Sequence, residues 1–438
     1  MASTTTKDDT DAPRCPITGI ARIRTGETFD MNNNNNGNNN NNNIDGTTTP
    51  TKNGEKTNGV VKTPVLPGRG GKPVYYHSYL QLDKVLNAQQ TMSGLAGVGD
   101  GKGAHDEHLF IVIHQVYELW FKQILHELND VVKIFSQPEV RDPQMGTVIH
   151  RLRRCTEIQR VLVDQLTVLE TMTPLDFLDF RDYLFPASGF QSMQFRKIEN
   201  ILGLNPNTRM RYSGKHYCAY LKEDHADTIK ELEKQKSLFD LVEKWLERTP
   251  FLVVDEYDFW ANYSKAIKVM LNRDREVIEK QAKELGLSDE QKNEQLASID
   301  ETAKHYQSLL NEEEYEKLRK RGDRRLSFGA MKAALLITLY QDEPMLHLPF
   351  QVLQLLMDID EYFTNWRYRH ALMVHRMIGI KLGTGGSSGY AYLRATAQRH
   401  KIFGDLFNLS TFIIPRSFLP PLPQNLKRRL SFAGTLTG

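Results

Sequence analysis

The chain has 438 residues, of which 40% are hydrophobic and 25% charged, and its formal net charge is +2. These values are typical of a globular protein, and the small net charge argues against a nucleic-acid-binding surface, which needs a strong basic bias. Three scattered cysteines argue against a disulfide framework or a zinc knuckle. Together with the lack of an apolar run near the roughly 20 residues of a membrane span, they predict a cytoplasmic protein.

The first 72 residues are predicted to be a disordered, low-complexity tail. Residues 32–43 are all asparagine except Gly37, and Thr, Lys, Gly and Pro are frequent in residues 47–73. Such a segment offers too little apolar surface to offset the entropy lost on folding. Ordered structure is therefore expected to begin near Tyr75.

Three helical patterns follow. Residues 106–135 contain neither Pro nor Gly and are apolar around most of a helical circumference, which predicts a long buried helix. Hydrophobic side chains at helical spacing predict a second helix over residues 145–170. Thr173 and Pro174 are typical of the cap and first turn of a third helix. We assign residues 73–223 to the first part of a helical core.

The second half begins with a change of composition. Residues 224–321 are rich in Lys and Glu and predict a charged excursion of solvent-facing helices. The chain returns to apolar helix over residues 335–379, within a segment, 322–415, that we expect to complete the core. The Pro-rich tail, residues 416–438, is expected to be irregular. Alternating strand patterns are nearly absent, so the sequence predicts an all-α fold.

His114 belongs to an aromatic helical face. Positions three, four and seven residues away share its face, and they include Phe110, Tyr117 and Phe121. One interpretation is a core histidine whose ring nitrogens are hydrogen-bonded. The other is an imidazole that offers one polar contact to a flat, apolar ligand. The spacing alone leaves both open.

His370 lies on a second apolar stripe, which includes Phe363 and Trp366. A neutral imidazole that projects into a dry slot is what an axial haem ligand requires. His375 follows five positions later, about 140° around the helix, and cannot point into the same cavity. Because His370 is more central on the stripe, we favour it as the candidate ligand. A side chain that merely fills the core is the alternative.

Two further features suit a charged small molecule. The glycine-rich loop at residues 383–389, with Thr384, has amides and hydroxyls that can hold an anion, or it is a plain connection. A helix precedes it and no Gly-Lys-Ser/Thr follows, so a nucleotide loop is not predicted.

Arg181 and Arg196 flank a break at Pro186. A guanidinium pairs with a ligand carboxylate or with a protein carboxylate, and spacing does not choose between them.

A non-haem metal site is the less favoured hypothesis. His105 and His108 share a helical face, and residues 358–361 include three carboxylates. However, the chain has no HExxH pattern, and Asp106 is interpreted as a helix cap.

Four segments of the chain, in order, resemble the tryptophan 2,3-dioxygenase family. They are HDEHLFIVIHQVYELWFKQI at residues 105–124, LDFLDFRDYLFPASGFQSMQFR at 175–196, WRYRHALMVHRMIG at 366–379 and GTGGSSGYAYLR at 383–394. The similarity extends from about Tyr75 to about Pro415. It implies an all-helical homotetramer with one haem b per subunit. It also implies insertion of both atoms of O₂ across the indole C2–C3 bond of L-tryptophan, which gives N-formyl-L-kynurenine, the first step of the kynurenine pathway.

The resemblance also implies roles for particular residues. His370 matches the proximal haem ligand. His114 matches the distal histidine that accepts a hydrogen bond from the indole N–H. Arg181, rather than Arg196, matches the arginine that pairs with the substrate carboxylate, and Thr384 matches the loop threonine at the charged end of the amino acid.

Other matches concern the walls of the site. Phe110 and Phe177 correspond to residues that line the indole pocket, and Tyr117 to one near the haem. Tyr76 and Tyr79 correspond to aromatics that a neighbouring subunit donates, which would make oligomerisation part of the active site.

Three other functions remain as alternatives. One is a haem-based sensor that binds O₂ and tryptophan without turnover, although a pure gas sensor needs no clamp for an amino acid. Another is a helical scaffold with core histidines, and the third is a non-haem iron oxygenase. For the dioxygenase, the work of the pocket is mainly orientation, and no strong external base is required.

Overall fold

The computed structural model describes residues 74–210, 216–250, 252–254, 256–383 and 389–430. The first part contains α1 (Tyr76–Leu80), α2 (Leu82–Leu86), α3 (Met92–Leu95), α4 (His105–Phe135), α5 (Asp142–Leu169), α6 (Pro174–Arg181), α7 (Met193–Leu202), α8 (Glu223–Glu233) and α9 (Leu238–Glu247).

The second part contains α10 (Phe259–Leu285), α11 (Asp289–Leu310), α12 (Glu312–Arg321), α13 (Phe328–Leu339), α14 (Pro344–Ile378), α15 (Gly389–Arg399), α16 (Gly404–Asn408) and α17 (Gln424–Leu430). Short 3-10 helices cover Asp182–Leu184, Gly189–Gln191, Pro206–Thr208, Tyr217–Tyr220, Leu409–Phe412 and Arg416–Phe418. Strands β1 (Val253–Val254) and β2 (Tyr257–Asp258) form one small antiparallel ribbon. The predicted all-α fold is confirmed.

The three long helices α4, α5 and α14 form the centre of the molecule, with α5 packed against both others. Each of the three buries an apolar stripe: α5 contributes Val148 and Leu152, both fully inaccessible to solvent, and α4 contributes Ile124 and Leu128. Burying one such side chain stabilises the fold by about 1.5–3 kcal/mol. The predicted buried helix over residues 106–135 is thus confirmed with a difference of one residue.

The helix predicted over residues 335–379 is two helices, α13 and α14. Pro344 occupies the first turn of α14, and Glu343 before it is extended, with φ −76° and ψ 128°. A residue that precedes proline is pushed out of the helical region, so the apolar pattern continues while the helix is interrupted. The far end is as predicted, because α14 ends where Gly379 adopts a φ of 58°.

Two local predictions were wrong. Asp106 is not the cap of α4: the capping position is Ala104, and the Asp106 carboxylate contacts Nδ1 of His105 at 2.8 Å. The Pro-rich tail is not wholly irregular, because α17 follows Pro423 and buries Leu426 and Leu430. These two side chains lie four residues apart on one helical face, and tertiary packing stabilises the short helix.

The charged segment from residue 224 to 321 combines two kinds of helix. Helix α9 buries Leu238, Phe239 and Leu246 in the main core. In contrast, α11 buries only Tyr306 and Leu309 along 22 residues and packs on α10. Among the described residues, no helix has the length and apolar character needed to cross a membrane. The described residues from 74 to 430 form one compact unit.

Candidate functional site

A cavity of about 330 Å³ lies between α4 and α14 and is closed by α6, α7 and α15. Its size lies within the range of about 300–1,000 Å³ that is usual for ligand pockets. The wall is largely hydrophobic and aromatic, and its apolar members include Phe110, Tyr117, Phe121, Phe177, Phe195, Trp366, Met373, Val374, Met377 and Leu393. The cavity suits a large, flat, apolar ligand with a few polar contacts.

His114 enters this cavity from α4 with a defined orientation. Its Nδ1 lies 2.7 Å from the carbonyl oxygen of Phe110. A carbonyl can only accept a hydrogen bond, so Nδ1 carries the proton and Nε2 presents a lone pair when the ring is neutral. Burial lowers the pKa of His114, outweighing the opposing effect of the Phe110 carbonyl, and this favours the neutral form. His114 can therefore accept a hydrogen bond through Nε2.

His370 enters the same cavity from α14. Its ring stacks on Trp366, with 5.1 Å between centroids and an interplanar angle of 23°, and no hydrogen bond to it occurs within the described residues. Burial lowers the pKa of His370 to about 4, and His114 across the cavity adds to the shift. The imidazole is thus neutral with an available lone pair. His375 instead packs against Tyr390, with 4.3 Å between ring centroids, and does not line the cavity.

The aromatic wall beside His114 joins α4 to α6. The ring of Phe110 lies 4.1 Å from that of His114 and 5.9 Å from that of Phe177. Phe180 supports both phenylalanines from behind, at 5.5 Å and 5.4 Å between centroids. The two predicted pocket residues, Phe110 and Phe177, therefore lie on one face of the cavity.

Arg181 is the last residue of α6 and also lines the cavity. The start of this short helix is fixed by Thr173, whose hydroxyl oxygen accepts a hydrogen bond from the amide of Asp176 at 3.3 Å, as the sequence predicted. The Arg181 guanidinium donates to the carbonyl oxygen of Leu382. This contact places the cation next to the start of the glycine loop. Thr384 itself lies outside the described residues.

Tyr117 lines the cavity one turn after His114. Its hydroxyl donates to the carbonyl oxygen of Leu162 on α5 at 2.6 Å, and burial raises its pKa to about 12. The phenol is therefore a neutral wall that ties α4 to α5.

Tyr76 and Tyr79 do not line the cavity of their own chain. Their side chains are 70% and 74% exposed, and neither α1 nor α2 contains a buried residue. A role in a neighbouring subunit stays a prediction.

Sequence reasoning missed the inner end of the cavity. Here the wall is polar and includes Arg196, Glu199, Arg367 and His400. Arg196 was a candidate for pairing with a ligand carboxylate, but its Nη1 donates to Glu199 at 2.9 Å. The spacing of three residues between the two was the one available signal.

The non-haem alternative has little structural support. The described residues contain no group of three or more His, Cys, Asp or Glu side chains that could hold a metal ion. Asp360 instead accepts hydrogen bonds from the amides of Ile402 and Phe403, both at 3.0 Å.

Comparison with known proteins gives a consistent result. Residues 61–413 match the family model described as tryptophan 2,3-dioxygenase. A tryptophan 2,3-dioxygenase of Bdellovibrio bacteriovorus is 50% identical over 360 residues, which cover 82% of this chain and 98% of that protein. The protein of the same name from Dictyostelium discoideum is 47% identical over a match that covers 83% of this chain and 90% of that protein. Tryptophan 2,3-dioxygenase B of Danio rerio is 47% identical over a match that covers 82% of this chain and 86% of that protein.

Proposed function

The chain belongs to the tryptophan 2,3-dioxygenase family, and on that premise we propose how its cavity oxidises L-tryptophan. The activity is that of an oxidoreductase, a dioxygenase of tryptophan catabolism. Both atoms of O₂ are inserted across the indole C2–C3 bond, and the product is N-formyl-L-kynurenine. One observation carries the proposal: a single cavity contains the neutral imidazoles of His114 and His370, from α4 and α14, and the guanidinium of Arg181 beside the glycine loop.

The substrate ring binds against His114. The lone pair on Nε2 is directed by the Phe110 contact and accepts the indole N–H. Phe110 and Phe177 pack against the ring, since offset or edge contacts between aromatic rings add about 0.5–1.5 kcal/mol to area burial. His114 is thus a residue that holds and orients substrate.

The amino-acid group binds at the Arg181 end. A guanidinium forms two parallel hydrogen bonds with a carboxylate, and Thr384 in the following loop contacts the charged end. Three fixed points, the indole N–H, the ring faces and the carboxylate, define one orientation of the substrate. Orientation of this kind can supply several kcal/mol of rate acceleration.

Haem b is the cofactor that we propose for the cavity, and His370 would be the residue that holds its iron. The fit rests on the donor itself: a neutral imidazole, stacked on Trp366, in a wall of aromatic and aliphatic side chains. When bound, haem supplies the site at which O₂ is activated. The surrounding apolar side chains exclude water from that site.

Assembly and location remain predictions. We propose a homotetramer in the cytoplasm, in which Tyr76 and Tyr79 complete the site of a neighbouring subunit. Their exposure in the single chain supports this role. Cys155 and Cys218 are free and buried, which is compatible with a reducing compartment.

The proposed function is tested by an absorbance experiment on purified ferrous protein without oxygen. L-Tryptophan is added first and air second. We expect a Soret band, a change in that band on addition of tryptophan, and growth of the formylkynurenine absorbance in air. His370→Ala is the control variant, which should fold but retain little haem.

Each alternative predicts a different result. A Soret band without product would favour the sensor. Protein-bound iron without a Soret band would favour a non-haem oxygenase. Colourless protein even after haem supplementation would indicate a helical scaffold and would remove the proposal.

A further inference from the structure

The inner end of the cavity contains an unusual group of buried charges, which we call the arginine cluster: Arg196, Arg209 and Arg367 around Glu199. Arg196 Nη1 and Arg209 Nη1 each lie 2.9 Å from one oxygen of Glu199, and Arg367 Nη2 lies 3.1 Å from the other. All four side chains are at most 8% exposed.

The charges in the cluster do not balance. Three guanidinium groups surround one carboxylate, which leaves an excess of two positive charges. The nearby Asp360 accepts hydrogen bonds from the amides of Ile402 and Phe403, and its negative charge also acts on Arg367, so the cluster and Asp360 together keep an excess of one positive charge. Burial lowers the pKa of His400, which favours the neutral form of its ring, so His400 does not offset the excess. Because uncompensated buried charge is costly, the cluster is suited to an anion.

Donor groups are available for that anion. Nε of Arg196 and Nε of Arg209 are buried and have no hydrogen-bond partner among the described residues. The other groups of Arg209 and Arg367 are engaged: Arg209 Nη2 donates to Asn200, and Arg367 Nη1 donates to the His400 carbonyl. Arg196 lines the cavity, whereas Arg209 lies behind the wall. Arg196 is therefore the member of the cluster that both lines the cavity and carries an unpaired donor.

The cluster is connected to the candidate haem ligand by packed side chains. His370 stacks on Trp366, and the Trp366 ring lies 5.3 Å from that of Phe195. The guanidinium of Arg196 lies 5.9 Å from the Phe195 ring. Arg367 precedes His370 by three residues and shares its face of α14. Trp366 and Phe195 thus form a continuous apolar wall between His370 and the cluster, along which a flat ligand held by His370 would lie.

We propose that the arginine cluster binds a carboxylate of the cofactor, one haem propionate, through Arg196. This inference rests on the proposed haem site. It divides the polar groups of the cavity: Arg181 serves the substrate carboxylate at one end, and Arg196 serves the cofactor carboxylate at the other. Glu199 holds the three guanidinium groups in place and limits the net positive charge of the cluster.

The test compares haem with haem dimethyl ester, in which both carboxylates are blocked. Full-length chain produced without added haem is titrated with each compound, and the rate of loss to a globin acceptor is measured. Wild-type protein should hold haem about tenfold or more longer than the ester, the effect of one charge-assisted hydrogen bond. Arg196→Gln should abolish most of this difference.

Arg325→Gln is the matched control. Arg325 is a partly buried arginine outside the cluster. It donates to the carbonyl oxygens of Ile402 and Gly203 at 2.9 Å and does not line the cavity. Its loss should leave the preference for haem over the ester unchanged.

The outcomes separate this inference from the proposed function. Equal retention of haem and ester by wild-type protein, each with a Soret band, overturns the inference and leaves the haem site intact. Binding of neither compound overturns the proposed function itself. If Arg196→Gln raises the KM for tryptophan and keeps the preference for haem, the cluster serves the substrate and the inference is wrong.

Discussion

His114 can serve a substrate through only one of its ring nitrogens, because the Phe110 carbonyl occupies the other. His114→Ala removes the proposed acceptor for the indole N–H but leaves the aromatic wall. We expect kcat/KM to fall about tenfold, the value of one hydrogen bond of about 1–1.5 kcal/mol, while the Soret band is retained. Steady-state kinetics on protein of verified haem content measure this. Complete inactivity at every tryptophan concentration would show that His114 does more than orient the ring.

Arg181 differs from His114 because it acts through charge. Arg181→Ala should raise the KM for tryptophan by about 10–100-fold with a smaller change in kcat, since a hydrogen bond between charged groups contributes about 1.5–3 kcal/mol. Arg181→Lys keeps the charge but cannot form two parallel hydrogen bonds with a carboxylate. Its KM for tryptophan should lie between those of the wild type and the alanine variant. The measurement is KM at saturating O₂. An unchanged KM in the alanine variant would refute the proposed role.

At the scale of helices, Glu199 pairs with Arg196 on its own helix, α7, and connects α7 to α14 through Arg367. Burial opposes its ionisation, but the neighbouring arginines hold the pKa of Glu199 well below its usual range. A carboxyl group with a depressed pKa stabilises the fold above its unfolded pKa, near 4.3, and this stabilisation is lost as the pH falls.

Glu199→Gln should therefore destabilise the protein by about 3–5 kcal/mol at neutral pH, the cost of breaking a buried ion pair. The variant should also lose less stability than wild type on acidification below about pH 4.3. Denaturant unfolding at several pH values measures both effects. Glu157→Gln, in an exposed pair with Arg160, is the control and should change little. Parallel pH curves for wild type and Glu199→Gln would contradict the expectation.

The long helices could be predicted because their signals are local. The range 106–135 has an unbroken apolar pattern, and α4 follows it almost residue for residue. The break between α13 and α14 was missed because the apolar pattern continues across it, although Pro344 was a visible signal. The short α17 was missed for the opposite reason: its stability comes from burial of Leu426 and Leu430, and its own sequence is polar.

For the whole molecule, sequence reasoning located His114 and His370 in the cavity but not the inner end with His400. His114 and His370 each lie on a recognisable apolar stripe. The cluster depends on tertiary contacts, since Glu199 and Arg367 are 168 residues apart. From the sequence alone, each member of the cluster is predicted to be an ordinary surface or ion-pair residue. The haem and tryptophan assignments came from family resemblance, and the apolar cavity with its few polar groups is compatible with them.

The predicted assembly can be tested by complementation between two defective chains. Tyr79→Ser should impair the site of the neighbouring subunit, and Arg181→Ala should impair its own. The side chain of Tyr79 is 74% exposed and does not belong to the core, so the Tyr79→Ser variant should fold. We expect each variant alone to be poorly active and the co-expressed pair to recover part of the wild-type activity. Recovery occurs because an intact Arg181 on one subunit meets an intact Tyr79 from the other.

If Tyr79 instead served its own subunit, every site in the mixed assembly would carry one of the two defects, and activity would not recover. Mixing the two variants after separate purification is the control, because preformed oligomers exchange subunits slowly and should show only the sum of the two low activities. A recovered activity would also require a closed oligomer in which the same N-terminal segment of each chain covers a neighbouring cavity. Oligomerisation would then be a condition for catalysis, and dilution into monomers would remove activity before it removed helical structure.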